Sequence, residues 1–473
     1  MVAGHRLVAG HREDGALFPE ETKPVYASSH AGPYTRLALV SPVTNVLMFM
    51  ATVHPFRAVR PLPQHVEEIA SVPYDVVDTT EARDRAEGKP RSFLHVARPE
   101  IDLSPERGTY EDAVYEQGAV NLRQFVEADY TLREEAPAVY VYRLVMDGRE
   151  QTGVFGGVSV AEYNEGTIVK HEETRPTKEN DRTRHILAQQ AHAEPVMLTY
   201  RDDETIHALV SDVQEQAPLY DFEAEDGVRH TVWKASAPDP LVEAFQNVDH
   251  LYIADGHHRC KAASRAAATL RQTEGSTSGP GTERPGYEMF TAVLFPMSHM
   301  HIMAYNRIVY ELPGSPSDFL EQLARDFTVV RDVNDPVPAQ KGTVCLYVDG
   351  AWHRLALPEP SGDRVVDQLD VSRLSEHLLE PRLGISDQRR DPNIDFVGGI
   401  RGTEALAARV ESGAAQLAIS MYPTGIEELV AVSDEGSLMP PKSTWFEPKL
   451  RSGLLVHDFA EDVPDDASVM PAI

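Results

Sequence analysis

Leu251-Tyr-Ile-Ala-Asp-Gly-His-His-Arg-Cys-Lys-Ala-Ala-Ser-Arg-Ala266 joins the two elements on which the fold turns. Its first four residues form a short apolar run that suits a buried strand. Asp255-Gly256 is a turn, and the alanine-rich remainder, opening with His257, His258 and Arg259, reads as a helix. A sharp strand-to-helix turn leaves backbone N–H groups unpaired where the helix dipole is positive. An anion can bind there, with Arg259 and a histidine adding charge, while Asp255 can hold a divalent cation or orient a histidine. The plainer alternative is a β–α connection whose histidines only cap the helix. Adjacent histidines point in different directions, so one metal shared by His257 and His258 is not expected.

Outward from this stretch, short apolar runs bounded by charge, Gly or Pro predict strands at 138–145, 153–160, 195–200, 250–254 and 289–295, with helices at 110–127 and 183–193. Together these give one mixed α/β domain over residues 50–310. Residues 71–75 and 92–100 carry polar groups among aromatic and apolar ones that could shape a substrate pocket, but the preferred reading is strand ends packed on the core. The stretch 274–286, EGSTSGPGTERPG, has no large apolar residue and reads as a flexible insertion. A second, α+β domain is expected over 311–457, with helices at 317–327, 365–379, 403–411 and 426–432 and strands at 343–348, 394–397 and 416–421. Residues 1–49 lack periodicity and read as a disordered arm or a mis-assigned start before Met50. Residues 458–473 read as an acidic tail.

With 44 basic and 74 acidic residues in 473, the net charge is −30, which disfavours general nucleic-acid or anionic-membrane binding. A composition of 42% hydrophobic and 25% charged residues is that of a globular protein able to bury a core. Two cysteines, Cys260 and Cys345, with no CxxC, argue against a disulfide scaffold or a thiolate zinc site and suit a reducing cytoplasm. The apolar run at 37–49 is too short and interrupted to span a bilayer, and no signal-peptide pattern precedes it.

Two further segments carry chemistry. Lys170-His-Glu-Glu-Thr-Arg-Pro-Thr-Lys-Glu-Asn-Asp-Arg-Thr-Arg-His185 follows an apolar strand and can place a carboxylate base beside several cations, as phosphoryl transfer requires. It reads equally as a salt-bridged loop and helix start, and HExxH is not satisfied. Met439-Pro-Pro-Lys-Ser-Thr-Trp-Phe-Glu-Pro-Lys449 combines Lys442, two hydroxyls and an aromatic pair. Lys442, Ser443 and Thr444 can grip a phosphate or carboxylate, with Trp445 as a pocket wall; the alternative is a capping strand with Trp445 in the core. Asp395-Phe-Val-Gly-Gly-Ile-Arg-Gly402 reads as a β–α turn, since no GxxxxGK[ST] exists, and neither GxSxG nor the protein-kinase motifs occur.

Taken in order, His171-Glu172, Glu194-Pro195-Val196-Met197-Leu198, Asp255-Gly-His-His-Arg259 and Pro441-Lys-Ser-Thr444 resemble the free serine kinases of the ParB/sulfiredoxin superfamily. In those kinases DGHHR ends a strand, a His-Glu pair lies upstream and Pro-Lys-Thr-Thr comes near the C-terminus. Residues 50–457 also look like a widespread prokaryotic family of unknown function that carries DGHHR. The resemblance implies a ParB/sulfiredoxin-like core in a mixed α/β, α+β chain. It also implies a Mg²⁺- and nucleotide-dependent phosphotransferase using ADP or ATP on a small hydroxyl metabolite, foremost free L-serine/O-phosphoserine.

Residue by residue, the resemblance makes Glu172, within the His171-Glu172 pair, the general base that takes a proton from the serine hydroxyl. Asp255, Gly256, His257, His258 and Arg259 would bind or polarise nucleotide phosphate, with Asp255 holding Mg²⁺ and Asp255 and His257 also serving catalysis. Lys442, Ser443, Thr444 and Trp445 would hold the substrate. Trp445 and Phe446 stand where the kinases have Arg-His, a departure that bears on serine as the substrate. The alternatives are a phosphoserine phosphatase-type hydrolase, a non-enzymatic nucleotide-binding ParB-like regulator, and a metal hydrolase using His171, Glu172, His257 and His258. No membrane partner is expected.

Overall fold

A computed structural model describes residues 50–274 and 285–462. The expectations for residues 1–49, for most of the 274–286 insertion and for 463–473 lie outside the described residues. The fold is mixed α+β. Its larger sheet has β1 (Val53–His54), β2 (Tyr140–Met146), β3 (Arg149–Ser159), β4 (Ile168–Val169), β5 (Val196–Tyr200), β6 (Tyr220–Glu223), β7 (Arg229–Lys234), β8 (Leu251–Asp255) and β9 (Met289–Pro296). They run in the order β4-β8-β5-β9-β3-β2-β7-β6, with β1 beside β3. Most pairs are antiparallel, but β5–β9 and β4–β8 are parallel.

Asp147 and Gly148, both with positive φ (51° and 75°), make the tight turn between β2 and β3. Along β2, Tyr140, Tyr142 and Leu144 enter one hydrophobic cluster, while Val141 enters another on the opposite face. Burial on both faces explains why these strands read as continuous apolar runs rather than alternating ones. On the second face lie α2 (Pro176–Gln189), after α1 (Asp112–Val126), and α3 (His257–Glu274), whose Cys260, Ala263, Ala267 and Leu270 contact the sheet. The small residues of α3 let it sit close to the strands, and burial pushes the Cys260 thiol up to about 12.

A second sheet holds β10 (Tyr305–Val309), β11 (Val329–Val330), β12 (Thr343–Val348), β13 (Ala351–Ala356), β14 (Ile394–Gly398) and β15 (Leu417–Ser420), in the order β11-β13-β12-β15-β10-β14. Helices α4 (Pro316–Asp326) and α6 (Ile426–Asp434) pack on one face, and α5 (Gly402–Glu411) covers Ile308, Val397 and Ala418 on the other. The chain then returns to the first sheet's surroundings: Val456 bridges Val59, Ser452 bridges Ser71, and His457–Asp458 pairs with Ala191–His192. Phe459 is buried. Among the described residues no helix is long and apolar enough to cross a membrane.

Three local expectations are corrected. The helix expected over 183–193 begins at Pro176, where proline at the first position has no N–H to lose, and stops at Gln190, whose φ is 50°. Residues 92–100 contain helical turns, Leu94–Ala97 and Pro99–Asp102, rather than a strand end. The helix expected over 365–379 is broken into Val365–Gln368, Asp370–Leu374 and Ser375–Leu379. The break falls where the Asp370 carboxylate accepts Gly342 N–H at 2.8 and 2.9 Å.

Candidate active site

The register of β8 against β5 shifts between Ile253 and Asp255, so the strand ends irregularly. Such an irregularity re-aims the last side chain. Gly256 follows with φ 107°, and a Cβ there would lie 2.9 Å from Val196 Cγ1. Only glycine fits this backbone against β5, which is why Asp255-Gly256 is a sharp turn into α3.

The two histidines that open α3 clamp one loop. His257 Nε2 accepts the His171 backbone N–H at 3.4 Å, and His258 Nε2 accepts that of Arg175 at 3.0 Å. They point to different residues, as their adjacency requires. Burial foremost keeps them neutral: His257 is well below its ordinary value and His258 is held at about 4. The His171 ring packs edge-on to His257 with centroids 4.4 Å apart, and burial lowers it to about 4.

The third segment closes the site. Met439 N–H donates to the His171 carbonyl at 2.8 Å. Lys442, in the left-handed region at φ 59°, places its ammonium 5.4 Å from the Tyr305 ring centroid. Burial raises Glu172 above the ordinary carboxylate value, against the pull of Lys442, whose backbone N–H also bonds it. Burial works against the Lys442 charge, but Tyr305 and Glu172 outweigh it and hold its value high. Asp255 accepts ion pairs from Arg259 at 3.4 Å and from Lys449 at 3.6 Å. Burial opposes its charge, yet Lys449, Arg259 and Lys442 hold it well below the usual carboxylate range.

Glu172, His171, Asp255, Gly256, His257, His258, Arg259 and Lys442 therefore share one site. Ser443 is committed to structure: its hydroxyl donates to the Pro440 carbonyl at 2.6 Å and its carbonyl accepts Thr424 Oγ1 at 2.9 Å. Trp445 is half-buried, lying over Gly398 and 5.1 Å from Tyr305, with its Nε1–H on Glu447. Thr444 is half-buried beside it. Other cations of the 170–185 segment turn elsewhere: Lys170 stacks on Tyr163, Lys178 on Tyr110 and Arg182 on Tyr74.

Asp75, Glu194, Lys449 and Tyr305, which carried no assigned role in the sequence, also join the site. Asp75 lies 3.9 Å from Arg259, whose Nη1 also donates to the Pro195 carbonyl. Glu194, itself buried, accepts Tyr74 N–H and Ser452 Oγ, each at 3.0 Å, and faces Arg182 at 3.8 Å. Lys449 had only its nearness to Pro-Pro-Lys as a signal. Tyr305 had none, because its role follows from strand order rather than from sequence neighbours.

Burial also lowers His185, and it holds His192 and His230 at about 3. A histidine lowered on folding binds its proton more readily unfolded. Its contribution is therefore complete above pH 6.5 and shrinks as pH falls toward the folded value, by up to about 1.4 kcal/mol per pH unit. Glu172, Glu194, Glu447 and Asp370, raised by burial, and His95, raised by its bond to Asp102, act oppositely, but seven lowered histidines, His301 included, outnumber these five. Melting temperature is expected to drop by several degrees between pH 7 and 5, and a flat profile in differential scanning calorimetry would refute this balance.

The chain is similar to a C-terminally truncated SbnI from Staphylococcus aureus, at 12% identity over 66% of this chain and 92% of that one, with a TM-score of 0.34. It is similar to a free serine kinase in complex with AMP, at 12% identity over 63% and 92%, TM-score 0.34. A conserved hypothetical protein from Pyrococcus furiosus aligns at 14% identity over 63% and 95%, TM-score 0.32. No curated protein matches the sequence. A family model matches residues 53–372, about two thirds of the chain, and by that match the chain belongs to the family described as protein of unknown function (DUF1015).

Proposed function

We propose that this protein is a Mg²⁺- and nucleotide-dependent phosphotransferase acting on a small hydroxyl metabolite, foremost free L-serine/O-phosphoserine. The observation that carries the reading is the meeting of three distant segments: the His171-Glu172 loop is bonded to His257 and to Met439, and Asp255 lies between Arg259 and Lys449. Phosphoryl transfer depends on positioning and charge neutralisation, and a base next to fixed cations meets both needs. Glu172, raised by burial, is a stronger base than an exposed carboxylate and takes the proton of the attacking hydroxyl. Lys442 and Lys449 neutralise the transferring phosphate, and the start of α3, from Gly256, offers backbone N–H groups to the nucleotide.

Asp255, ionised and partly exposed, suits a cation that takes one or two carboxylates and completes its shell with phosphate oxygens and water. Bound there, Mg²⁺ would neutralise phosphate charge. His257 and His258 position the Glu172 loop through their bonds to His171 and Arg175.

The test is incubation of the protein with L-serine, Mg²⁺ and either ADP or ATP, with phosphoserine and nucleotide products followed by mass spectrometry. Nucleotide-dependent phosphoserine formation is the expected result, and its absence with both nucleotides would sink the reading. A second reading rests on the ligand atoms of His171, Glu172 and His257, which lie within 4.8 Å of one another. A divalent transition metal held there would favour phosphoserine hydrolysis. Phosphate release from phosphoserine without nucleotide, abolished by a chelator and accompanied by stoichiometric metal, would select it.

A further inference from the structure

Arg307, in the middle of β10, is fully buried. Among the described residues no carboxylate lies within salt-bridge distance of it, and its Nε and Nη2 have no hydrogen-bond partner. One Nη1 bond runs back along the strand to the Tyr305 carbonyl, and the guanidinium lies 5.3 Å from the Phe396 ring centroid. Burial lowers it to about 10. A buried charge without a counter-charge costs several kcal/mol, so such groups are normally paired. The other buried arginines near the site have acids: Arg259 has Asp255 and Asp75, and Arg182 has Asp181 and Glu194.

The surroundings set this arginine on the sheet face that carries Tyr305, Phe396 and Trp445. Phe396 stands opposite Arg307 in the β10–β14 register, and Gly398 stands opposite Tyr305. These positions share one face, on which Trp445 fills the space over Gly398 and Tyr305 meets both Phe396 and Trp445. Phe396 and Trp445 are only half-buried. Lys442 reaches Tyr305 from the Glu172 side. An aromatic wall thus has a cation at its rim and an unpaired guanidinium behind it.

We infer that Arg307 is the anchor for an oxyanion of the substrate, most directly the carboxylate of an amino acid whose hydroxyl faces Glu172. This rests on the phosphotransferase reading for the identity of the substrate, but not for the need of an anion. The Nε–Nη2 edge, whose two donors are both without a partner, matches a carboxylate or phosphate in bidentate geometry. In the absence of substrate the charge is unpaired, so ligand binding and folding stability are coupled through this one residue.

The experiment compares full-length wild type, Arg307→Met and Arg307→Lys by thermal shift and calorimetry with L-serine, L-serinamide, O-phospho-L-serine and inorganic phosphate. The expected result is that Arg307→Met melts at or above wild type without ligand, yet binds L-serine or phosphoserine at least tenfold more weakly, as wild type binds L-serinamide. A response to phosphate alone, lost in Arg307→Met, assigns the same edge to a phosphate. A structural arginine would do the reverse: Arg307→Met would melt several degrees lower with its ligand shifts intact, which overturns the inference. So does a wild type that responds to none of the anions. If Arg307→Met does not fold, Arg307→Lys decides, with weakened anion binding supporting the inference and full affinity overturning it. Anion shifts that need Arg307 without any phosphoryl transfer would remove the kinase reading alone, whereas transfer with an unchanged serine KM in Arg307→Lys would remove Arg307 alone.

Discussion

Glu172→Gln is expected to lower kcat for phosphoryl transfer by about 10²–10⁴-fold, the usual contribution of a positioned general base. The amide has the same shape and still accepts the Lys442 N–H, so the loop held by His257 and His258 keeps its position. Nucleotide affinity should therefore stay within about twofold, a separation that removing a merely structural residue does not produce. The pH profile supplies a second readout. Burial raises Glu172, and a base acts only when deprotonated, so wild-type kcat should climb with pH through a value above the ordinary carboxylate range. That limb should vanish in the variant. Retention of kcat within tenfold would take Glu172 out of the mechanism.

Asp255→Asn is the second large effect, and it falls on stability as well as turnover. The carboxylate lies between Arg259 and Lys449 with 29% of its side chain exposed. Removing its charge leaves both cations without that partner, although Asp75 still faces Arg259. Loss of one member of a buried pair costs roughly 3–5 kcal/mol, which the partial exposure and the remaining acid reduce to about 2 kcal/mol. Because the wild-type group is lowered on folding, its contribution is complete above the ordinary aspartate value and fades as pH falls below it. The Asn variant should thus be less stable at pH 7, and the difference should narrow under acid conditions. Transfer should fall at least 10²-fold at saturating Mg²⁺. Urea denaturation at two pH values, with the transfer assay, checks both; an unchanged midpoint and unchanged rate would contradict the placement of Asp255 between two cations.

Much of the fold was legible because it is written in short range. The predicted strands at 138–145, 153–160, 195–200, 289–295 and 343–348 coincide with observed ones, since burial on both faces makes their apolar runs continuous. The hairpin of β6 and β7 was missed because Arg229, His230 and Thr231 interrupt the apolar pattern. His230 nonetheless lies buried against Phe222 and Tyr142, where aromatic packing replaces an aliphatic stripe. Residues 92–100 were misread because so short a run carries no period long enough to separate a turn of helix from a strand end.

The sequence by itself determined the β8–turn–α3 unit and the chemistry of its residues, because a strand, a glycine that alone tolerates φ 107°, and a helix start are set by neighbouring residues. It also contained His171-Glu172 and Pro441-Lys442 as separate motifs of the right kind. Only the tertiary structure decided that they meet, that the histidines clamp a loop, and that the distant Lys449 joins the neighbouring Arg259 in pairing with Asp255. It alone set Arg307 on the face of Tyr305 and Phe396 without an acid. Charge pairing depends on distance in space and on exclusion of water, and neither is encoded in the spacing of residues such as Asp255 and Lys449, which lie 194 positions apart.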